Sequence, residues 1–231
     1  MKTIGLIGGM SFESTVTYYE MINEAVKERL GGFHSAKILL YSVDFAEIEK
    51  RQRADKWDEC AEIIIDAAKR LELAGADMIL ICTNTIHKLA DQVSASISIP
   101  LIHIAEATAD VLKEKGMKKV GLLGTKYTML QDFYKDKIVE SGIDVIIPSL
   151  EDVEFINHVI FDELCLGTIS ETSRREFVRI IKTLRADGAE GIILGCTEIG
   201  LLVKSEDSDI PLFDTTIIHA MKAADLALKA E

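Results

Sequence analysis

The chain has 231 residues, of which 48% are apolar, and its 38 acidic and 26 basic side chains leave a formal net charge of −12. That length fits one large domain or two of about 115 residues each, and the apolar share supplies a substantial core. A surface this acidic excludes nucleic acid and anionic membranes as natural partners, and any acidic small molecule has to be captured by local donors.

The first residues, Met1 to Gly9, form a strand-like run at once, without the long apolar stretch and cleavage site of a signal peptide. No apolar run approaches the roughly 20 residues of a membrane span, so the expected compartment is the cytoplasm. The four cysteines (Cys60, Cys82, Cys165, Cys196) show no CxxC pairing and no histidine at ligand spacing, which points to reduced thiols and to no metal site.

In chain order, residues 3–7 read as a strand ending at Gly8-Gly9-Met10-Ser11. A helix over about 13–30 carries Tyr18, Ile22, Ala25 and Val26 on one stripe, and Gly31-Gly32 stop it. Residues 37–43 read as a buried strand, and 44–53 as a loop with a helical turn bearing Glu47, Glu49, Gln52 and Arg53. Asp55 then caps a helix to about residue 73. Gly75 ends it, 78–82 is a strand, and Asn84 or Thr85 starts a helix to about 96. A short strand at 99–104 and a helix over about 106–115 follow.

The second half repeats this order: strand 119–123, helix 129–141, strand 144–147, helix 151–164, a helix from Ser170 as its cap to about 185, strand 191–194, a helix start at 197–203, strand 210–214 and a last helix over 216–229. Three anchors match in constant order. Ile4-Gly-Leu-Ile-Gly8 matches Val120-Gly-Leu-Leu-Gly124. The stretch Gly75 to Ile86 matches Gly188 to Ile199, and Ile99-Pro-Leu-Ile-His103 matches Ile210-Pro-Leu-Phe-Asp214. Alternating strands and helices imply mostly parallel sheets covered by helices. The expectation is an α/β protein of two pseudo-twofold-related α/β halves, 1–104 plus 216–231 and 105–215, with the last helix crossing to the first half. The site belongs in the cleft between the halves, beyond the carboxyl ends of the strands.

Laid without a gap, the middle anchor sets Thr83 against Cys196, Asn84 against Thr197 and Thr85 against Glu198, while Cys82 falls against Gly195. Cys196 ends a strand just before a helix start. A free cysteine there is either a small buried residue or a thiol whose pKa the helix N-terminus lowers; the Gly-Cys-Thr-Glu context favours the second. Thr83, Asn84 and Thr85 offer three candidates for one helix cap, and the surplus donors suit a carboxylate. Two reactive positions across a pseudo-twofold suit proton removal and delivery on opposite faces of one carbon. No cofactor is expected. Gly5-x-x-Gly8-Gly9 lacks the full dinucleotide fingerprint, and neither a phosphate-binding Gly-x-x-x-x-Gly-Lys nor a Schiff-base lysine context stands out.

Gly8-Gly9-Met10-Ser11-x-Glu13-Ser14-Thr15, Thr83-Asn84-Thr85-x-His87, Leu123-Gly124-Thr125 and Gly195-Cys196-Thr197-Glu198 together resemble the cofactor-independent aspartate/glutamate racemase family, over nearly the whole chain. The resemblance implies two α/β halves, a cleft between them, frequent homodimers and a pair of catalytic cysteines. The usual first motif is Cys-Asn-Thr, whereas this chain has Thr83-Asn84-Thr85 with Cys82 one position early. One position along a strand reverses the side chain, so Cys82 is expected in the sheet packing and the catalytic pair becomes Thr83 and Cys196. A threonine hydroxyl is a far weaker acid than a thiol, so it serves to relay or donate a proton, and catalysis should be one-sided. The chain most resembles the branch specific for L-aspartate and L-glutamate. A second departure is Cys165-Leu166-Gly167, where many members carry a lysine for the side-chain carboxylate.

With that lysine absent, Gln52 and Arg53 are the first choices for the distal carboxylate. Met10, Ser11, Thr125, Thr197 and Glu198 are expected to line the pocket, and His87 supports Thr83 or orients a neighbour. Glu13 reads as a helix-start charge, and Trp57 and Met78 as packing residues. Two alternatives stand beside the racemase: a related Cys-dependent decarboxylase or isomerase acting at an acidic carbon, and a non-catalytic two-lobed binding protein for acidic amino acids.

Overall fold

The leucine and isoleucine run at the N-terminus forms strand β1 (Ile4–Gly8), all five residues of which are buried. In the computed structural model, which describes residues 1–229, the chain divides into two units, 1–104 with the segment from His219, and 105–218. The last two residues of the segment 216–231 lie outside the described residues.

In the first unit, β1 leads into α1 (Phe12–Leu30), whose buried face is Tyr18, Ile22, Ala25 and Val26 and whose end is Gly31 at φ 71°. Then come β2 (Ile38–Ser42), α2 (Phe45–Arg53), α3 (Trp57–Leu73) and β3 (Met78–Ile81). A 3₁₀ turn (Thr85–Leu89) and α4 (Ala90–Ser94) follow. The strands pair in parallel in the order β2-β1-β3. Parallel neighbours need crossovers, and the helices between the strands supply them. Gly9 turns the chain out of β1 at φ 89°, and a Cβ there would run into the carbonyl of Val43, so only glycine fits.

The second unit opens on α5 (Ile104–Glu114), which takes its first residue from the end of the first unit, and continues with β4 (Lys119–Gly124), α6 (Lys126–Leu130), α7 (Asp132–Val139), β5 (Asp144–Ile146), α8 (Leu150–Asp162), α9 (Glu171–Ala186), β6 (Gly191–Gly195), α10 (Ile199–Leu202) and β7 (Leu212–Asp214). Its strands run in parallel in the order β5-β4-β6-β7. The last helix, α11 (Thr215–Leu228), starts in this unit. Its Ala220, Ala223, Ala224 and Ala227 belong to the first unit's core, with Ile4, Leu6, Tyr18 and Ile22.

The protein is therefore an α/β fold built on two parallel sheets, and the internal repeat reaches down to single hydrogen bonds. Beside β3 the amide of Ile79 donates to the carbonyl of Pro100 at 2.9 Å, and beside β6 the amide of Ile192 donates to the carbonyl of Pro211 at 2.9 Å.

Several segments depart from the sequence reading. The expected loop at 44–53 is the helix α2, because Asp44 caps it through the amide of Ala46 and Glu49 and Arg53 pair along one face. Asp55 does not cap α3. It sits at φ 56° in the preceding turn and accepts the Trp57 indole N–H at 2.7 Å. The strand expected at 99–104 is reduced to a single bridge between Ile79 and Leu101. The helix expected over 129–141 is two helices, broken where Gln131 turns extended at ψ 160°. The helix expected from Asn84 or Thr85 is a 3₁₀ turn and one α turn. Among the described residues no helix is long and apolar enough to cross a membrane.

Candidate active site

In the second unit, β4 and β6 end side by side at Gly124 and Gly195, which are register partners. A Cβ at Gly124 would meet the Gly195 carbonyl at 2.8 Å, so these two strand ends can approach only as glycines. The next residue on each strand is a candidate. Thr125 caps α6 through the amide of Thr128. Cys196, Thr197 and Glu198 are all buried.

The Cys196 thiol donates to Glu198 Oε2 at 2.9 Å, and the Thr197 hydroxyl donates to the same oxygen at 2.7 Å. This corrects the sequence reading of a thiol acidified by a helix N-terminus. The helix that follows has only four residues, too short for a useful dipole. Burial and then the Glu198 charge push the Cys196 pKa well up, with Cys165 adding to it. The Cys196 thiol thus rests directly against a side chain of the chemical type that can accept its proton.

Cys165 lies partly exposed in the 3₁₀ turn Leu164–Leu166. Asp214 ends β7 and caps α11 through the amides of Thr216 and Ile217 at 2.8 and 3.3 Å. Burial pushes its pKa up. A Cβ at Gly200 would run into its Oδ2.

In the first unit, Cys82 is fully buried among Ile4, Leu6, Tyr18, Met78 and Leu80, and burial raises its pKa. The strand period thus turns it into the sheet packing, as read from the sequence. Thr83 is partly exposed, while Asn84 and Thr85 are buried just after it. Met10 and Ser11 are buried at the end of β1, where the Gly9 amide donates to Thr15 Oγ1 at 2.8 Å and that hydroxyl donates to the Ser11 carbonyl at 2.9 Å. Gln52 and Arg53 part company. Gln52 is buried, whereas the Arg53 side chain is 70% exposed and ion-paired to Glu49. Glu13 is in the first turn of α1, with Oε2 buried. Trp57 packs under the Lys88 ammonium, 4.0 Å from the ring centroid.

The sequence reading missed a buried histidine cluster in this unit. His87, His103 and His219 are all buried, with the His87 ring 4.7 Å from His103 and 5.7 Å from His219, centroid to centroid. His219 stands four residues before Ala223 on the buried face of α11, and that helical spacing is the signal that could have found it. Burial is the main reason both pKa values fall, well below the usual range for His87 and to about 3 for His219. The unfolded chain takes up these protons near pH 6.5 and the folded chain does not. Stability from these neutral rings is therefore fully present above about pH 6.5 and is lost as pH falls toward the folded values, at about 1.4 kcal/mol per pH unit for each ring. Urea unfolding at pH 7 and pH 5 should show this loss, with a shallower slope for His219→Gln.

Comparison with known proteins places this architecture. The family described as Asp/Glu/hydantoin racemase matches residues 7–223. A candidate Asp/Glu racemase from Yersinia pestis, known from its crystal structure, is 56% identical with a TM-score of 0.93, over 99% of this chain and 100% of that one. The aspartate racemase homologue of Pyrococcus horikoshii OT3 is 38% identical with a TM-score of 0.86, over 99% and 100%. The broad specificity amino-acid racemase RacX of Bacillus subtilis (strain 168) is 25% identical over 92% of each chain. The chain belongs to the Asp/Glu/hydantoin racemase family and is an amino-acid racemase.

Proposed function

We propose that this racemase acts on L-aspartate or L-glutamate without a cofactor, with Cys196 taking the Cα proton and Thr83 serving the other face of the same carbon. The observation that carries this reading is the Cys196 thiol donating to a buried Glu198 carboxylate. The thiol proton passes to Glu198. The thiolate so formed takes the proton from Cα of the L-enantiomer. The carbanion is then protonated either by Cys196, which regenerates L, or by the Thr83 hydroxyl, which gives D; in the second case the Thr83 alkoxide regains a proton from water while Glu198 returns to water the proton it took from the thiol. Asn84, Thr85, Ser11 and Thr125 supply neutral donors for the α-carboxylate, where charge grows as the proton leaves. Gln52 is the better placed of the two residues proposed for the distal carboxylate, being buried next to an Arg53 that already has an ionic partner.

The name of the Bacillus subtilis relative, together with Cys165 in place of a lysine, supports a wider side-chain range as the second reading. Proton NMR in deuterated water on L- and D-aspartate, L- and D-glutamate and L-alanine separates the two. The first reading expects Cα–H loss from L-aspartate or L-glutamate and little from alanine. Equal loss from alanine would sink the acidic specificity, and binding of the acids without any exchange would sink the racemase reading.

A further inference from the structure

His87 is held by backbone groups on both sides of its ring, with Thr83, Asn84, Ile102 and Ile104 all within reach, and two of these contacts set the roles of its nitrogens. Its Nδ1 lies 2.7 Å from the carbonyl oxygen of Thr83, and its Nε2 lies 3.2 Å from the amide of Ile104. An amide N–H can only donate and a carbonyl can only accept. Nε2 is therefore the unprotonated nitrogen, and Nδ1 carries the proton and donates it to Thr83. Both nitrogens of a neutral ring are committed, so His87 has no proton to give to a substrate.

The same logic applies one layer behind it. The carbonyl of Ile102 accepts from His219 Nε2 at 2.7 Å, which leaves Nδ1 to accept from the Tyr18 hydroxyl at 2.8 Å. The segment 102–104 is thus held twice, once through the Ile102 carbonyl and once through the Ile104 amide. His87 ties the turn that carries Thr83 to that braced segment. Thr83 needs such support. It stands one residue beyond Cys82, past the last residue of β3, and its amide reaches back only to the Ile81 carbonyl at 2.9 Å.

We propose that His87 is the positioning residue for Thr83: its Nδ1–H holds the Thr83 carbonyl, its Nε2 anchors that turn to the Ile104 amide, and the Thr83 hydroxyl is thereby held where it can protonate the substrate carbon. The proposal rests on the reading of Thr83 as the group that serves the second face. It separates His87 from Cys196, because the two faces report on different residues. Exchange of the Cα proton of the L-substrate with retention uses Cys196 alone, whereas inversion to D also uses Thr83.

The test measures both rates in deuterated water for the parent, His87→Gln, Thr83→Ala and the double variant. His87→Gln is expected to lower inversion about tenfold while exchange with retention and KM stay within about twofold. In the Thr83→Ala background it should lower inversion no further. Losses that add in the double variant, or equal losses of both rates, would overturn the proposal. A second measurement needs no variant: the ¹⁵N shifts of the His87 ring should report the neutral Nδ1–H tautomer from pH 5 to pH 8. An imidazolium or the Nε2–H tautomer in that range contradicts the proposal. If Thr83→Ala alone leaves inversion intact, the catalytic reading of Thr83 fails and the positioning role fails with it. An additive double variant in the presence of a strong Thr83→Ala effect sinks only the role of His87.

Discussion

Cys196→Ala should abolish exchange at Cα, a loss of about 10²–10⁴-fold or more for removal of the group proposed to take the proton. The same change at Cys60 or Cys82 should leave exchange near the parental rate once folding is verified. Cys60 is buried with its thiol facing the Ile48 carbonyl at 3.8 Å, and Cys82 is fully buried in the first unit's core. Of these three buried thiols, Cys196 is the one that donates to a carboxylate oxygen, which is the difference the proposed mechanism uses. Exchange rates by NMR across the three variants check this directly.

Glu198→Gln should lower kcat by about 10²-fold and change the shape of the pH profile. In the parent, the resting pair (thiol and carboxylate) and the reactive pair (thiolate and carboxylic acid) hold the same number of protons. The reactive fraction is therefore independent of pH across neutrality. Glutamine still accepts the thiol hydrogen bond but cannot take the proton, so the thiolate must form by loss of a proton to solvent. The rate of the variant should then rise up to tenfold per pH unit until the thiol titrates. That titration falls lower than in the parent, because the neighbouring negative charge that raised the Cys196 pKa is gone. Rate profiles of both proteins from pH 6 to pH 9.5 decide it. A parallel pair of profiles would show that Glu198 does not receive the proton.

Much of this was legible in the chain. The repeat marked two halves with parallel sheets and set Thr83 against Cys196, because glycines that allow close strand ends and prolines that flank a short parallel bridge leave marks in sequence, whereas the order of the strands within each sheet did not show. The direction of Cys82 followed from the period of a strand. The helix α2 was hidden because its amphipathic face is short and its stability comes from the Asp44 cap and from charge pairs. The raised Cys196 pKa was hidden for a related reason. The sequence shows Glu198 two residues on, but not that its side chain folds back onto the thiol. The histidine cluster joins residues 87 and 103 of the first unit to 219, which only the path of α11 into that unit's core brings to them.

The repeat also exposes how the two units differ. Residues 87 and 200 are equivalent, as are 103 and 214. In the first unit that pair is two histidine rings 4.7 Å apart. In the second it is a glycine lying against an aspartate that caps α11. One position thus braces Thr83 through a side chain, and its counterpart leaves room for Asp214.

In the proposed mechanism one thiol, Cys196, and one hydroxyl, Thr83, serve the two faces of the same carbon. Separate Cα exchange rates from the L- and D-enantiomers, in the parent and in Thr83→Cys, test it most directly. Exchange should strongly favour the L-enantiomer in the parent, and Thr83→Cys should show a marked rise in exchange from D with L preserved. Equal rates from both enantiomers in the parent, or no rise from D in the variant, would contradict it.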